Sequence, residues 1–374
     1  MKLKEICEYI SDRVAVIAVS EENYISTENM AQNKGGVTRV ASLPSSGAVI
    51  RYKNDDILIS NIRPYFKKIW QADKNGGCSA DVLCIRAKEH IDSTFLYYLL
   101  SQDAFFEYVM TGTKGCKMPR GDKSHIMDWD IDIPEDKSEQ TAIGQCLKVI
   151  DKKIEINKQI NDNLEQQASF LFQDWLSNCN SNVSIRELAE NVLDYTQNKC
   201  EQVYLLNSSD VTEGRFSSLP LVSNKNLKGQ FKKRFKKGDI LYSEIRPRNR
   251  HYAYCYFDAD RYIASTRLII LRAKPDMLTS STVLYQYLML NSVFEEFTLK
   301  TESRSGTFPQ GNYEDLSSIR VPYSANQEEI AKSLEAIYEQ LWNNLKENER
   351  LEALRDSLLP KLMSGELKIN KIDC

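Results

Sequence analysis

The chain has 374 residues, 42% hydrophobic and 27% charged, with a formal net charge of −3. That length exceeds one ordinary core and predicts two or three domains. The near-neutral balance excludes a nucleic-acid binder with a global basic excess, though not one with local basic patches. No apolar run approaches the roughly 20 residues of a membrane span. No apolar signal core follows Met1-Lys2-Leu3-Lys4-Glu5, so a cytoplasmic protein without a membrane partner is expected. The nine cysteines include no C-x-x-C pair. This argues against a disulfide framework and a zinc ribbon.

The N-terminal half begins with short apolar runs separated by Gly, Asn, Ser and Pro. Ile57–Ser60 and residues 82–86 have the length and β-branched content of strands. Residues 95–110 follow with helical spacing, then a Gly-rich basic loop at 112–123. The C-terminal half repeats this order, with strands at Ile240–Ser243 and 268–271, a helix at 283–299 and a loop at 304–311. The repetition extends to the residues themselves. D-I-L-I-S-N-I-R-P from Asp56 to Pro64 matches D-I-L-Y-S-E-I-R-P from Asp239 to Pro247 at an offset of 183. Arg86-Ala87-Lys88 matches Arg272-Ala273-Lys274 at an offset of 186, and Ile133-Pro134 matches Val321-Pro322 at 188. Matches in one order with slowly drifting offsets are what loop insertions produce. The chain is therefore read as a duplicated domain rather than a solenoid.

Each half ends in a long helix. The first is expected to start at Ser138 as N-cap and to run to about Trp175, with a seam stepping by four and three: Ile143, Leu147, Ile150, Ile154, Asn157, Asn161, Leu164, Ala168, Leu171, Trp175. The second repeats it at a constant offset of 187, from Ile330 through Asn344 and Asn348 to Arg355, Leu358 and Leu362. Asparagine in an apolar seam sets register, because an unpaired buried amide is costly. Antiparallel pairing of the two helices places Asn157 opposite Asn348 and Asn161 opposite Asn344, both with an index sum of 505. The same rule sets Ile150 against Arg355, a conflict that snorkelling would relieve. The alternative is that each helix packs on its own domain with these asparagines exposed. Some 36 helical residues would make a rod of roughly 55 Å.

This layout, variable domain and long helix twice over, resembles the specificity subunits of type I restriction-modification systems across essentially the whole chain. The strings from Tyr24 to Met30, Asp56 to Pro64, Gly115 to Gly121 and Leu359 to Leu367 are similar to that family too. The resemblance implies an α+β fold in which two tandem duplicated target-recognition domains (1–136 and 179–325) are separated by two long helices (137–178, and 326–374 with the tail) that form an antiparallel intramolecular coiled coil with a pseudo-two-fold. It implies double-stranded DNA as ligand, read at a bipartite asymmetric site. It further implies two methyltransferase subunits as partners, which would bind S-adenosylmethionine and methylate adenine N6, with up to two motor-nuclease subunits joining for restriction. No cofactor is expected on this chain.

Reading DNA needs donors and acceptors at base edges and basic groups at phosphates. The loop at 112–123 offers Lys114, Lys117, Arg120 and Lys123 among three glycines, which would let the backbone approach a phosphate. Its counterpart offers Arg304, Thr307 and Gln310. Arg63 and Arg246 precede the repeated prolines and are read equally well as DNA contacts or as structural residues. Lys67, Arg248 and Arg250 beside them are read as DNA contacts. Lys232 and Lys233 stand in a basic run suited to phosphates, although charge runs are more often solvated faces.

Catalytic signatures are absent from the sequence. No G-x-x-x-x-G-K-[ST] loop and no G-x-G-x-x-G occurs. No Pro-Pro pair offers the segment expected of an adenine methyltransferase, and His90, His125 and His251 are scattered without metal-ligand spacing. The expectation is a non-catalytic subunit. The alternative is a scaffold of duplicated domains on a coiled coil that organises partner proteins without reading DNA; an RNA-binding tandem repeat ranks below it.

Overall fold

The structure is a computed structural model and describes residues 1–374 except 114, 116, 226, 228, 275–278, 304–309 and 370–374. It divides into two compact units, residues 1–156 with 347–374, and residues 157–346. Each unit takes one stretch from each of two long helices, Lys137–Ser177 and Glu328–Met363. Among the described residues, no helix is long and apolar enough to cross a membrane.

The first unit holds strands β1 (Cys7–Tyr9), β2 (Arg13–Ala15), β3 (Tyr24–Ile25), β4 (Ala48–Tyr52), β5 (Ile57–Ser60), β6 (Ile69–Gln71), β7 (Gly76–Cys78) and β8 (Val82–Ala87). The second holds β9 (Ser181–Ser184), β10 (Ala189–Asn191), β11 (Gln202–Leu206), β12 (Val211–Thr212), β13 (Arg215–Phe216), β14 (Leu221–Ser223), β15 (Phe231–Lys233), β16 (Ile240–Ser243), β17 (Tyr252–Tyr254), β18 (Tyr262–Ser265), β19 (Leu268–Ala273) and β20 (Arg320–Tyr323). The duplication recurs in the topology. Sheet β1-β8-β5-β6 corresponds to β10-β19-β16-β17, antiparallel throughout. In the other sheet β3 and β11 run parallel to β7 and β18, and β4 and β15 run antiparallel to them. The fourth strand differs between the units: β2 joins β4, whereas β14 joins β11.

The runs in β5 and β16 are continuously apolar because both of their faces are covered. Ile57 and Ile59 face a core with Leu3, Phe95 and Leu359, while Leu58 faces a second core with Tyr52 and Cys84. Ile240 and Tyr242, opposed to Leu241, do the same in the second unit. Alternate strand residues point to opposite faces, so burial on both sides removes the usual polar alternation.

The repeated Asp and Arg of the two matching strings meet in each unit. Arg86 donates from Nε and Nη2 to the two oxygens of Asp56, at 2.6 and 2.7 Å. Arg272 does likewise to Asp239, at 2.7 and 2.9 Å. Each aspartate also accepts the backbone N–H of the third residue before it, Lys53 or Lys236. Both carboxylates are buried. Pairing with the fixed guanidinium fork is what makes such burial tolerable.

The single helices expected over 95–110 and 283–299 are each two helices: Ser93–Ser101 and Asp103–Thr111, then Ser281–Met289 and Asn291–Glu302. Gln102, in extended conformation, and Leu290, at φ −58° and ψ 132°, break them. The break brings Phe105, Phe106 and Val109 into the same core as Phe95, Leu96 and Leu99. The first long helix begins at Lys137, and Asp136 rather than Ser138 caps it, accepting the Ser138 N–H at 2.9 Å.

The long helices pack antiparallel. In the second unit Asn344 Nδ2 donates to Asn161 Oδ1 at 2.8 Å, and Asn161 Nδ2 donates to the Leu341 carbonyl at 3.3 Å. In the first unit Asn348 Nδ2 donates to the Ile154 carbonyl at 3.4 Å. Asn157 is fully buried. Arg355, expected to turn outward from Ile150, instead binds Asp151 at 2.8 Å and Asp356 at 2.9 Å. A neighbouring carboxylate on the facing helix, not water alone, resolves the conflict.

Removing one member of a buried ion pair costs about 3 kcal/mol or more, because the other charge is left behind. Arg272 is 30% exposed, which puts Asp239→Ala at the low end of that range. Hydrogen exchange by mass spectrometry on Asp239→Ala should show protection lost in Leu268–Ala273 and retained in Val82–Ala87. Equal loss in both strands would show that the pair does not act locally.

Candidate nucleic-acid interface

The repeated Ile-Arg-Pro string forms one unusual turn in both units. A 3₁₀ turn, Pro64–Phe66 or Pro247–Asn249, is flanked on each side by a residue in the left-handed region. Those residues are Arg63 (φ 50°) and Lys67 (φ 50°), and Arg246 (φ 47°) and Arg250 (φ 51°). Four non-glycine residues in this region signal backbone strain that surrounding contacts must hold. The Gly-rich loop supplies some of these. Ile62 bridges Arg120 and Ile245 bridges Gln310. Arg63 N–H donates to the Pro119 carbonyl at 2.8 Å, and Gly311 N–H donates to the Glu244 carbonyl at 2.8 Å. Turn and loop, separate in the sequence, are thus one surface in each unit.

Each turn is also tied to the following helix. Lys67 pairs with Asp103 at 2.9 Å, beside Lys34 at 3.4 Å, and these lysines hold the Asp103 carboxyl below its ordinary range. At the matching position Arg250 donates to Asn291 Oδ1 at 3.0 Å and lies over the Phe294 ring at 4.3 Å. Lys67 and Arg250 therefore have an anchoring role beside any contact with DNA. Arg248 forms an exposed bidentate pair with Glu302, at 2.7 and 2.9 Å. Such solvent-exposed pairs contribute little to stability. Arg63 is half-buried, 6.0 Å above the Phe66 ring, while Arg246 is exposed.

Arg120, exposed, reaches Asp81 at 3.1 Å. Lys117 is exposed, and Lys123 stands over the Tyr9 ring at 5.7 Å. Lys114, Arg304 and Thr307 lie outside the described residues. Lys232 is exposed on β15, but its neighbour Lys233 is not. Lys233 is 5% exposed and donates from Nζ to the Leu268 carbonyl at 2.7 Å. Burial pulls its ammonium below the ordinary lysine range. The expectation that it meets phosphate is therefore corrected: it is a buried strand residue facing away from solvent.

The glycines too need correction. A Cβ on Gly112 would stand 2.2 Å from the His125 ring, and one on Gly121 would stand 2.9 Å from Asn61 Oδ1. On Gly311 it would be 2.5 Å from both Phe297 and Thr301. These glycines admit the protein's own side chains, not a phosphate. At Gly115, φ +94°, a Cβ would meet only the Met118 carbonyl, at an ordinary contact distance of 3.5 Å.

Four residues missed in the sequence complete the surface. Asn61 N–H donates to the Asp81 backbone carbonyl, and the matching Glu244 N–H donates to the Arg267 backbone carbonyl. On one backbone frame the first unit thus sets Arg120, Asp81 and Asn61, where the second sets Gln310, Arg267 and Glu244. Burial raises the Glu244 carboxyl, against the opposing effects of Lys233, Arg267 and a hydrogen bond from Gln310. Continuing the offsets of 183 and 186 from the matched strings would have found these positions. Among the described residues no group of three or more His, Cys, Asp or Glu is placed to hold a metal.

The sequence matches the family model of the type I restriction modification DNA specificity domain over residues 1–166 and 197–353. It is 34% identical over 163 residues to the type I restriction enzyme HindI specificity subunit of Haemophilus influenzae, covering 43% of this chain and 35% of that one. The chain thus matches well under half the length of that relative. The MjaIX specificity subunit of Methanocaldococcus jannaschii is 22% identical over 319 residues, covering 76% and 71% of the two chains. Among solved structures, the type I restriction-modification system S subunit from M. genitalium matches with a TM-score of 0.62 at 17% identity, over 97% of this chain and 95% of that one.

Overpacking a filled site costs about 1–3 kcal/mol. Gly311→Ala is expected to destabilise by that amount, since its Cβ meets the fully buried Phe297. Urea denaturation checks this; an unchanged midpoint would show that the loop has room.

Proposed function

Because this chain belongs to the type I restriction-modification DNA specificity family, we propose that it is the non-catalytic specificity subunit of such a system and reads a bipartite, asymmetric double-stranded DNA site. The supporting observation is the frame built twice. A strained Arg-Pro turn and a glycine loop are held in the same way in both units, with Arg120, Asp81 and Asn61 on one and Gln310, Arg267 and Glu244 on the other. A constant frame with different donors and acceptors is what reading two different half-sites requires. Arg120, Lys117, Lys123 and Gln310, with Arg246 and Arg248, are the residues proposed to contact DNA from these surfaces, and Lys232 to contact phosphate. The proposed partners are two methyltransferase subunits, which carry S-adenosylmethionine and methylate adenine N6, with motor-nuclease subunits joining for cleavage in the cytoplasm.

The test is a methylome. The chain is expressed with its neighbouring methyltransferase in a host free of adenine methylation, and N6-methyladenine is mapped by single-molecule sequencing. A split motif with one modified adenine on each strand, lost when this chain is omitted, is expected. No methylation from a soluble, associated pair of proteins would favour the scaffold. In the same assay Arg120→Ala should relax one half-site and leave the other intact; a uniform loss would refute base reading by Arg120. Lys232→Ala should weaken binding to all sequences alike and reduce the slope of log affinity against log salt by about 1.

A further inference from the structure

The second unit contains a cavity of about 430 Å³, within the roughly 300–1,000 Å³ of small-ligand sites. Tyr252, Tyr254, Tyr285, Tyr338 and Trp342 line it, with Glu165, Glu213 and Arg215 also in its wall. The five rings touch one another: Tyr254 stacks on Trp342 at 4.4 Å, and Tyr285 meets Tyr338 edge-on at 5.6 Å.

The first unit shows what this place holds when it is filled. The offsets of 187 and 188 equate Asp151 with Tyr338, Tyr98 with Gln286 and Tyr97 with Tyr285. The hydrogen bonding agrees: Tyr98 donates to Asp151 at 2.6 Å, and Gln286 donates to the Tyr338 hydroxyl at 2.9 Å. In the first unit Arg355 completes the group through its bonds to Asp151 and Asp356. The same offset of 187 equates Arg355 with Ala168, and Asp356 with Ser169, which lines the cavity. The second unit thus has no counterpart of the Arg355 guanidinium, and the Tyr338 ring stands at the position matching Asp151.

We propose that this cavity is a binding site for an alkylguanidinium cation, the chemistry that the first unit supplies from its own chain through Arg355. Aromatic faces attract a cation through their quadrupoles, and the carboxylates at the rim complete its coordination. Arg215 forms only long ion pairs at the rim. It is 55% exposed and stands 3.8 Å from both Glu165 and Asp162, beyond hydrogen-bond distance. Burial raises the Glu165 carboxyl pKa, against the lowering effect of Arg215.

The test is calorimetric titration of the full chain with n-butylguanidinium, using n-butanol as the uncharged comparison. Saturable binding of one equivalent is expected for the cation and none for the alcohol. Loss of a hydrogen bond to a charged group predicts about tenfold weaker binding in Glu165→Gln. Trp342→Leu, which removes a stacking face, should weaken binding independently. Ala168→Arg restores the internal cation and should abolish binding while circular dichroism stays native. Absence of saturable binding to natively folded protein, or unchanged affinity in both Glu165→Gln and Trp342→Leu relative to the unsubstituted chain, would overturn the proposal. A glycine-flanked arginine peptide distinguishes the source: affinity well above that of n-butylguanidinium assigns the cation to a protein side chain, and comparable affinity assigns it to a free small molecule.

Discussion

Each compact unit is closed by helix from both repeats. The core around Leu3, Phe95 and Leu147 is completed by Leu359, Leu362 and Met363, more than 200 residues further along the chain. The core around Val283 and Tyr287 is completed by Ala168 and Phe172, which precede that domain's strands. Antiparallel pairing makes this exchange possible, and buried amides hold its register. Sliding the seam would break the bond from Asn344 to Asn161 and strand two amides in an apolar environment. The first unit is therefore not a contiguous piece of sequence, whereas the second is, and neither finishes its core until residues of the second long helix have been made.

On this support, the two units differ mainly in the side chains of their loops. The Asp56–Arg86 and Asp239–Arg272 pairs, the doubly covered strands β5 and β16, and the strained Arg-Pro turns are the same in both units. Side chains differ where the frame opens to solvent. Arg120 and Gln310 occupy bridged positions on equivalent backbone, and Asp81 and Arg267 have opposite charge. A surface that leaves its anchoring residues alone can change what it recognises without changing how it folds. The internal comparison also works in reverse: Asp151, bound by Arg355 in one unit, matches Tyr338, which lines the aromatic cavity in the other, where alanine stands at the position of Arg355.

Much of this was legible in the residues. The offset of 187 between the helices exposed the duplication, the seam and the asparagine pair at 161 and 344. The D-I-L-x-S strings marked strands that both units use centrally. Less legible were the helix breaks at Gln102 and Leu290, which carry no proline or glycine and arise because two aromatic faces must reach one core.

What the sequence determined by itself was periodicity and repetition, because helix and strand spacing and internal matches are local properties of the chain. What only the tertiary structure decided was which of those residues meet solvent. Lys232 and Lys233 are adjacent and chemically identical, yet one is exposed and the other binds the Leu268 carbonyl inside the unit. In the sequence Gly112 and Gly121 read as letting the backbone approach a phosphate, but they make room for the protein's own side chains. Burial is set by what packs against a residue from elsewhere in the chain, and in a fold closed by its most distant segments that information is not local.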